Sequence, residues 1–245
     1  MNARNDTGAT VAVVLGAGQG TRMGAARNKI FLDLGGQPIL ARALAACDRA
    51  AEVDEIVLVA HPREVAECRA MAAHAGIAKL RDVIPGGASR HQSEWCALTM
   101  LRPRIEAGQV GIILIHDGAR PFVSARAIAA VVRAARRVGG ALLALPLDVG
   151  EVVAGAEPDG TVSRVFPPGA LWRAQTPQAF RAAELLAAYE AAARDGYEGT
   201  DTAAPFERAG SAVQVVRGSP RNLKITTPAD LARAKALLHA AHLDH

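Results

Sequence analysis

Residues 15 to 29 read Leu-Gly-Ala-Gly-Gln-Gly-Thr-Arg-Met-Gly-Ala-Ala-Arg-Asn-Lys. Gly16, Gly18 and Gly20 leave a turn almost without side chains, so backbone N–H groups can close around phosphate oxygens. Arg22 and Lys29 bring two cations to the same stretch. Loop and cations together suit a triphosphate, the loop cradling the charge that the cations neutralise. The bland alternative is a glycine-rich turn with solvated charges. Two better-known phosphate motifs fail on spacing. A dinucleotide fingerprint would need glycine where Thr21 or Met23 stands, and a Walker A loop would need Ser or Thr where Ile30 follows Lys29.

Three other places carry chemistry. Asp117 ends an apolar run and precedes Gly-Ala-Arg-Pro. A carboxylate there can hold Mg²⁺ between protein and phosphates, or it can cap a helix or pair with Arg120. His116 beside it reads as a hydrogen-bonded structural residue. Gly86-Gly87-Ala88-Ser89-Arg90-His91-Gln92-Ser93 allows close backbone approach and then opens a helix with polar residues. That suits a base edge and ribose, or a plain strand-to-helix turn. Ser93 lacks the histidine and aspartate pattern of a nucleophile. Lys224, inside Asn-Leu-Lys-Ile-Thr, is costly in an apolar run unless it meets an anion or snorkels to the surface.

These residues need elements to hold them. Apolar runs at Val11–Leu15, Glu55–Ala60, Leu80–Ile84, Gly111–Ile115 and Ala141–Leu145 predict strands. Helical patterns lie between them at Pro38–Arg49, Arg63–Ala75, Ser89–Leu101 and Ser124–Val138. The alternation predicts an α/β fold with a mostly parallel, Rossmann-like sheet flanked by helices. Ligands of such sheets bind at the carboxyl ends of the strands, where the glycine turn, Pro85-Gly86-Gly87 and His116-Asp117-Gly118 all fall. From about residue 146 to 170 the alternation breaks. Asp159-Gly160 is a hairpin signal, which predicts a protruding β-arm within a single domain over 1–245. Such an arm suits packing on a second subunit, so a homodimer is expected. Helices are then predicted at Arg181–Arg194, at Thr202–Ala209 and from Thr227, with a strand at Ala212–Val216.

Composition narrows the class. The 245 residues carry a net charge of +4, and only 4% are aromatic. The charge favours anionic ligands, but no Lys/Arg block with interleaved aromatics points to nucleic acid. No apolar run has the length of a membrane span, and the N-terminus lacks a signal core. Cys47, Cys68 and Cys96 are widely spaced, which suits buried thiols in a reducing cytoplasm.

Taken together, the motifs resemble the 2-C-methyl-D-erythritol 4-phosphate cytidylyltransferases and their relatives that use ribitol 5-phosphate. The pieces are Gly16-Ala17-Gly18-x-Gly20-x-Arg22-Met23, Lys29, Gly86-Gly87-x-x-Arg90-x-x-Ser93, His116-Asp117-x-Ala119-Arg120-Pro121, Gln175-Thr176-Pro177-Gln178, Thr200-Asp201 and Asn222-x-Lys224-Ile225-Thr226. The resemblance implies a nucleotidyltransferase sheet that joins CTP to a sugar-alcohol phosphate and releases pyrophosphate. It implies Arg22, Lys29 and Lys224 as the catalytic cations and Asp117 as the Mg²⁺ ligand. Gly16, Ala17, Gly18, Gly20, Gly87, Arg90 and Ser93 would surround the nucleotide, and Arg120, Thr176 and Thr200 the acceptor. Three places depart from the family pattern. Asn28-Lys29-Ile30-Phe31 replaces Pro-Lys-Gln and an aromatic, Val149-Gly150 replaces Asp-Thr in the arm, and Pro168 replaces an arginine. The last two fall in the acceptor half of the site, with Arg164 and Arg173 as possible substitutes. Open alternatives are another polyol phosphate as acceptor and a catalytically silent nucleotide-binding relative.

Overall fold

The computed structural model describes residues 8–18, 28–147, 153–156, 158–159, 161–167 and 171–243. The first strands are β1 (Ala9–Gly16), β2 (Glu55–Ala60), β3 (Leu80–Pro85), β4 (Val110–Asp117) and β5 (Gly140–Pro146). β3, β2, β1 and β4 are parallel neighbours in that order. Strand side chains alternate between faces, and the two faces of β1 enter different cores. Ala12 and Val14 pack with Ile56, Leu58, Ile112 and Leu114 on one side. Val11 and Val13 pack with Val57, Val59, Ile113 and Ile115 on the other. β4 is buried at every position, as a central strand covered on both faces must be. Burial of each of its large aliphatic side chains is worth about 1.5–3 kcal/mol.

Helices supply the covers. α1 (Ile39–Asp48) and α4 (Ala125–Val138) close the first face. In α4, Ile128, Val131, Val132 and Ala135 follow the helical period and are all buried. Ser124 caps its start, accepting from the Ala127 N–H at 3.2 Å. Gly139, at φ 104°, ends it in a conformation that side chains disfavour. α2 (Val65–His74) flanks β3. α3 (Arg90–Glu106), α5 (Ala182–Arg194) and the short α6 (Ala203–Arg208) cover the second face. α7 (Pro228–Leu243) follows Thr227 as expected. Asp230 accepts hydrogen bonds from the backbone and hydroxyls of Thr226 and Thr227. Burial opposes its charge, but those four bonds prevail and hold its pKa down at about 2.

β6 (Val153–Ala156) and β7 (Val162–Phe166) pair antiparallel as a separate two-stranded sheet, the hairpin that the Asp-Gly signal predicts. One strand was not legible. β8 (Trp172–Arg181) runs reversed between β4 and β5, and β9 (Val213–Arg217) lies parallel to β5 at the edge. Gln175-Thr176-Pro177-Gln178 carries no strand signal, being polar and interrupted by a proline that cannot donate to a central ladder. The β5–β8 register answers this by shifting. Leu142 faces Gln178 and Leu143 faces Gln175, so Thr176 and Pro177 step out of that ladder.

Candidate active site

Because β1 to β4 point one way, their carboxyl ends converge on a cleft of about 500 Å³. Gly16, Ala17 and Gly18 form one wall, and Gly86 to Ser89 form another. Lys29, His61, Arg90, Ser93, Asp117 and Lys224 also line it, with Leu15, Ile30, Pro62 and Ala119. The two walls touch. A side chain on Gly86 would place its Cβ 2.7 Å from the Ala17 Cβ and 2.8 Å from Ser93 Oγ. At Gly18, by contrast, an added Cβ would meet nothing within 4 Å. The backbone there stays bare toward the cleft, as close approach of a phosphate requires.

Asp117 lies at the floor, 5% exposed, with three cations around its carboxylate. Arg90 donates to Oδ1. Arg120 Nε and Lys224 Nζ lie 3.2 and 3.0 Å from Oδ2. Burial alone would raise the Asp117 pKa, but Arg90, Lys224 and Arg120 together outweigh it and hold the carboxyl far below the usual carboxylate range. It is the one acid among the described lining residues, so an ionised carboxylate shares the cleft with the cations Lys29, Arg90 and Lys224.

A second buried acid supports the first. Glu94, 1% exposed, lies 3.1 Å from Arg90 Nε. It accepts from the Thr202 hydroxyl at 2.8 Å and from the Tyr189 hydroxyl. Burial pushes its pKa up while Arg90 and the two hydroxyls pull it down. Arg90 is therefore gripped by Asp117 at one end and Glu94 at the other. Sequence reasoning missed Glu94, taking the helix start as polar. The signal was its place on the stripe of Ala97, Leu98, Leu101 and Ile105, all buried.

Behind the floor a hydrogen-bond chain fixes the geometry. His116 is fully buried, and its Nε2 lies 3.0 Å from the Arg120 carbonyl. That carbonyl can only accept, so Nε2 carries the proton and Nδ1 accepts from the Thr176 hydroxyl at 3.3 Å. Thr176 Oγ1 in turn accepts from the Asp117 N–H at 3.0 Å. Burial lowers the His116 pKa to about 4, so the ring is neutral near pH 7 and serves structure rather than proton transfer. Asn222 donates to the Thr176 carbonyl at 2.8 Å, and its own carbonyl accepts from Arg120 at 2.8 Å. The Ile225 N–H donates to the Ala119 carbonyl at 2.9 Å. These ties bring Lys224 beside Asp117, although the two are far apart along the chain.

Of the residues singled out from sequence, Gly16, Ala17, Gly18, Lys29, Gly87, Arg90, Ser93, Asp117 and Lys224 share the cleft. Ser93 donates its hydroxyl proton to the Ser89 carbonyl at 2.9 Å, which leaves its oxygen as an acceptor at the cleft. Arg120 and Thr176 stand behind Asp117 and do not line the cleft, and Thr200 is exposed in the bend before α6. Burial, the largest influence, lowers the Arg120 pKa against the pull of Asp117, and Arg90 and Arg173 add to the lowering. Gly20, Arg22, Val149, Gly150 and Pro168, and the side chain of Arg164, lie outside the described residues. Among those described, no group of three or more His, Cys, Asp or Glu side chains could hold a metal by itself.

A bare backbone wall and cations around one carboxylate, set at the ends of parallel strands, suit an anionic ligand, and the class is an α/β fold that binds its ligand at the strand ends. Known proteins narrow it further. The family model for 2-C-methyl-D-erythritol 4-phosphate cytidylyltransferase matches residues 10–240. The enzyme of that name from Geobacter metallireducens is 42% identical over 232 residues, covering 94% of this chain and 97% of the relative. The bifunctional enzyme IspD/IspF of Desulforudis audaxviator is 43% identical over 239 residues, and this chain spans 56% of its length. Among solved structures, 4-diphosphocytidyl-2C-methyl-D-erythritol synthase from Anaerococcus prevotii superposes with a TM-score of 0.81 at 28% identity, covering 98% of this chain and 100% of that one. The Thermus thermophilus 2-C-methyl-D-erythritol 4-phosphate cytidylyltransferase gives 0.67 at 33%, covering 93% and 98%. The chain belongs to the 2-C-methyl-D-erythritol 4-phosphate cytidylyltransferase family and is a nucleotidyltransferase.

Proposed function

We propose that the protein joins CTP to 2-C-methyl-D-erythritol 4-phosphate, giving 4-diphosphocytidyl-2-C-methyl-D-erythritol and pyrophosphate in isoprenoid precursor synthesis. The observation that carries this is the meeting of Lys29, Lys224 and ionised Asp117 against the bare wall at Gly18. An oxygen of the acceptor monoester attacks the α-phosphorus of CTP, and the bond to the β-phosphate breaks. The second pKa of a phosphate monoester is about 6, so the nucleophile is already ionised near neutral pH and no general base is needed. The barrier is repulsion between anions, and fixed cations with bare N–H groups lower it. Lys29 and Lys224, with Arg22 as the family resemblance implies, fill that role. A neutral, buried His116 agrees with chemistry that moves no proton.

Mg²⁺ typically takes one or two carboxylates and completes its shell with phosphate oxygens and water, so the single acid Asp117 could serve once Arg90 and Lys224 turn from its oxygens to the bound phosphates. Asp117 would hold it, and the ion when bound would neutralise charge on the triphosphate. Arg173, exposed on β8, is our candidate for the acceptor phosphate in place of the arginine that Pro168 replaces. For assembly we favour a homodimer through the arm. Val162 and Val165 are each 57% exposed and Trp172 is 41% exposed, an apolar cost that a second subunit would relieve. A reducing, cytoplasmic setting fits the buried free thiols of Cys47 and Cys68, which burial pushes up to about 12. No helix among the described residues is long and apolar enough to cross a membrane.

The test is pyrophosphate release from CTP and Mg²⁺ with methylerythritol phosphate, with ribitol 5-phosphate and with no acceptor. Turnover with the first supports the proposal. Turnover with ribitol 5-phosphate alone reassigns the acceptor, and CTP binding without turnover on either would indicate a silent relative.

A further inference from the structure

Asn28 immediately precedes Lys29, and its side chain is 8% exposed. Both ends of its side-chain amide are engaged. Nδ2 donates to the Gly18 carbonyl at 3.0 Å and to Glu64 Oε2 at 2.8 Å. Oδ1 accepts from the Ile30 N–H at 3.3 Å. Those three partners belong to separate parts of the cleft rim. Gly18 is the bare wall after β1. Ile30 lies in the three-residue 3-10 turn Lys29–Phe31, and Glu64 closes the short turn Pro62–Glu64 that carries lining residue Pro62.

We propose that Asn28 is a positioning residue that sets Lys29 against the Gly18 wall, so that the ammonium faces the polyphosphate bound between them. This rests on the triphosphate reading of the cleft. A single 3-10 turn has little stability of its own, and a lysine side chain samples many rotamers. Ile30 and Phe31 are buried and anchor the far end of the turn. Asn28 anchors the near end to two other segments, through one neutral bond and one charge-assisted bond to Glu64, the stronger kind. Small misplacements of a charge-stabilising group are expensive in rate, so a clamp beside Lys29 bears on catalysis as well as on folding.

The experiment is a double-mutant cycle between Asn28→Ala and Lys29→Ala, with Tm recorded for each variant. It reads binding of inorganic tripolyphosphate and of CTP by calorimetry, and turnover with CTP. With Lys29 present, Asn28→Ala is expected to weaken tripolyphosphate binding and turnover about tenfold each. In the Lys29→Ala background the same change should cost less than about twofold, because the group it positions is gone. Asn28→Asp removes the Nδ2 donor at nearly constant size and sets a carboxylate against Glu64, so it should cost at least as much as Asn28→Ala. Equal losses in both backgrounds would show a purely structural role and overturn the proposal, as would an Asn28→Ala protein with unaltered binding. If Asn28→Ala fails to fold, Glu64→Gln, which weakens the same clamp, takes its place in the cycle, with the same outcomes supporting or overturning the proposal. Coupling in tripolyphosphate binding without any CTP turnover would leave this proposal standing and remove the cytidylyl-transfer reading instead. Wild-type protein that binds neither probe would overturn both.

Discussion

Replacing Lys224 by methionine removes one charge and keeps most of the apolar stem. Its Nζ lies 3.0 Å from Asp117 Oδ2, with 39% of the lysine side chain exposed. At that separation two unit charges attract by roughly 5 kcal/mol with an effective dielectric of about 20. Solvent at an exposed lysine screens this to about 1 kcal/mol of net stability. Asp117 also keeps Arg90 and Arg120 as partners. The expected loss in Tm is therefore about 2–4 °C for a chain of this size. Turnover should fall far more. A cation aimed at charge that develops in the transition state is worth about 3 kcal/mol or more, roughly a hundredfold or greater in kcat. The assay is pyrophosphate release at saturating CTP and acceptor, beside thermal unfolding of the same samples, with Lys224→Arg retaining part of the rate. A loss in kcat below about fivefold, or a collapse in Tm that accounts for the rate, would refute the assignment of Lys224 to the reacting phosphates.

Two further outcomes follow from the buried acids. Glu94→Ala should destabilise by about 3 kcal/mol, since it leaves Arg90, Tyr189 and Thr202 without their shared partner, and Glu94→Gln should recover part of that in urea melts. A loss under about 1 kcal/mol for the alanine variant would mean that the cluster is not a structural grip. Asp117 predicts a pH dependence. Its folded pKa lies far below the unfolded value of about 3.9. Its stabilisation is complete above that value and is lost as pH falls through and below it. The gap in urea midpoint between wild type and Asp117→Asn should accordingly narrow between about pH 5 and about pH 3. A constant gap would show that the charge on Asp117 adds no stability.

Much of this was legible because local pattern and tertiary demand agree. β1, β2 and β4 are apolar runs whose alternation feeds two cores, and α4 carries its own cap, stripe and terminal glycine. The glycine wall and Asp117 could be read because each sits at a strand end, where an α/β sheet places its ligands, and Lys29 because it brings a cation to the stretch that follows the glycines. β8 could not, since its polar, proline-containing sequence is a strand only through pairing with β4 and β5 on both sides. The salt bridge of Lys224 to Asp117 and the grip of Glu94 on Arg90 are contacts between side chains whose meeting depends on folding. Thr176 is a similar case. Its hydroxyl serves the floor from behind rather than lining the cleft, and only the pairing of β8 beside β4 puts it there.

The most direct test of cytidylyl transfer in this cleft is phosphorus NMR of the protein incubated with CTP, Mg²⁺ and 2-C-methyl-D-erythritol 4-phosphate. Expected are free pyrophosphate and a new diphosphate whose coupled resonances join the acceptor phosphorus to the α-phosphorus of CTP, both abolished in Lys29→Ala. Unchanged CTP and acceptor signals, or hydrolysis to CMP without the coupled diphosphate, would contradict it.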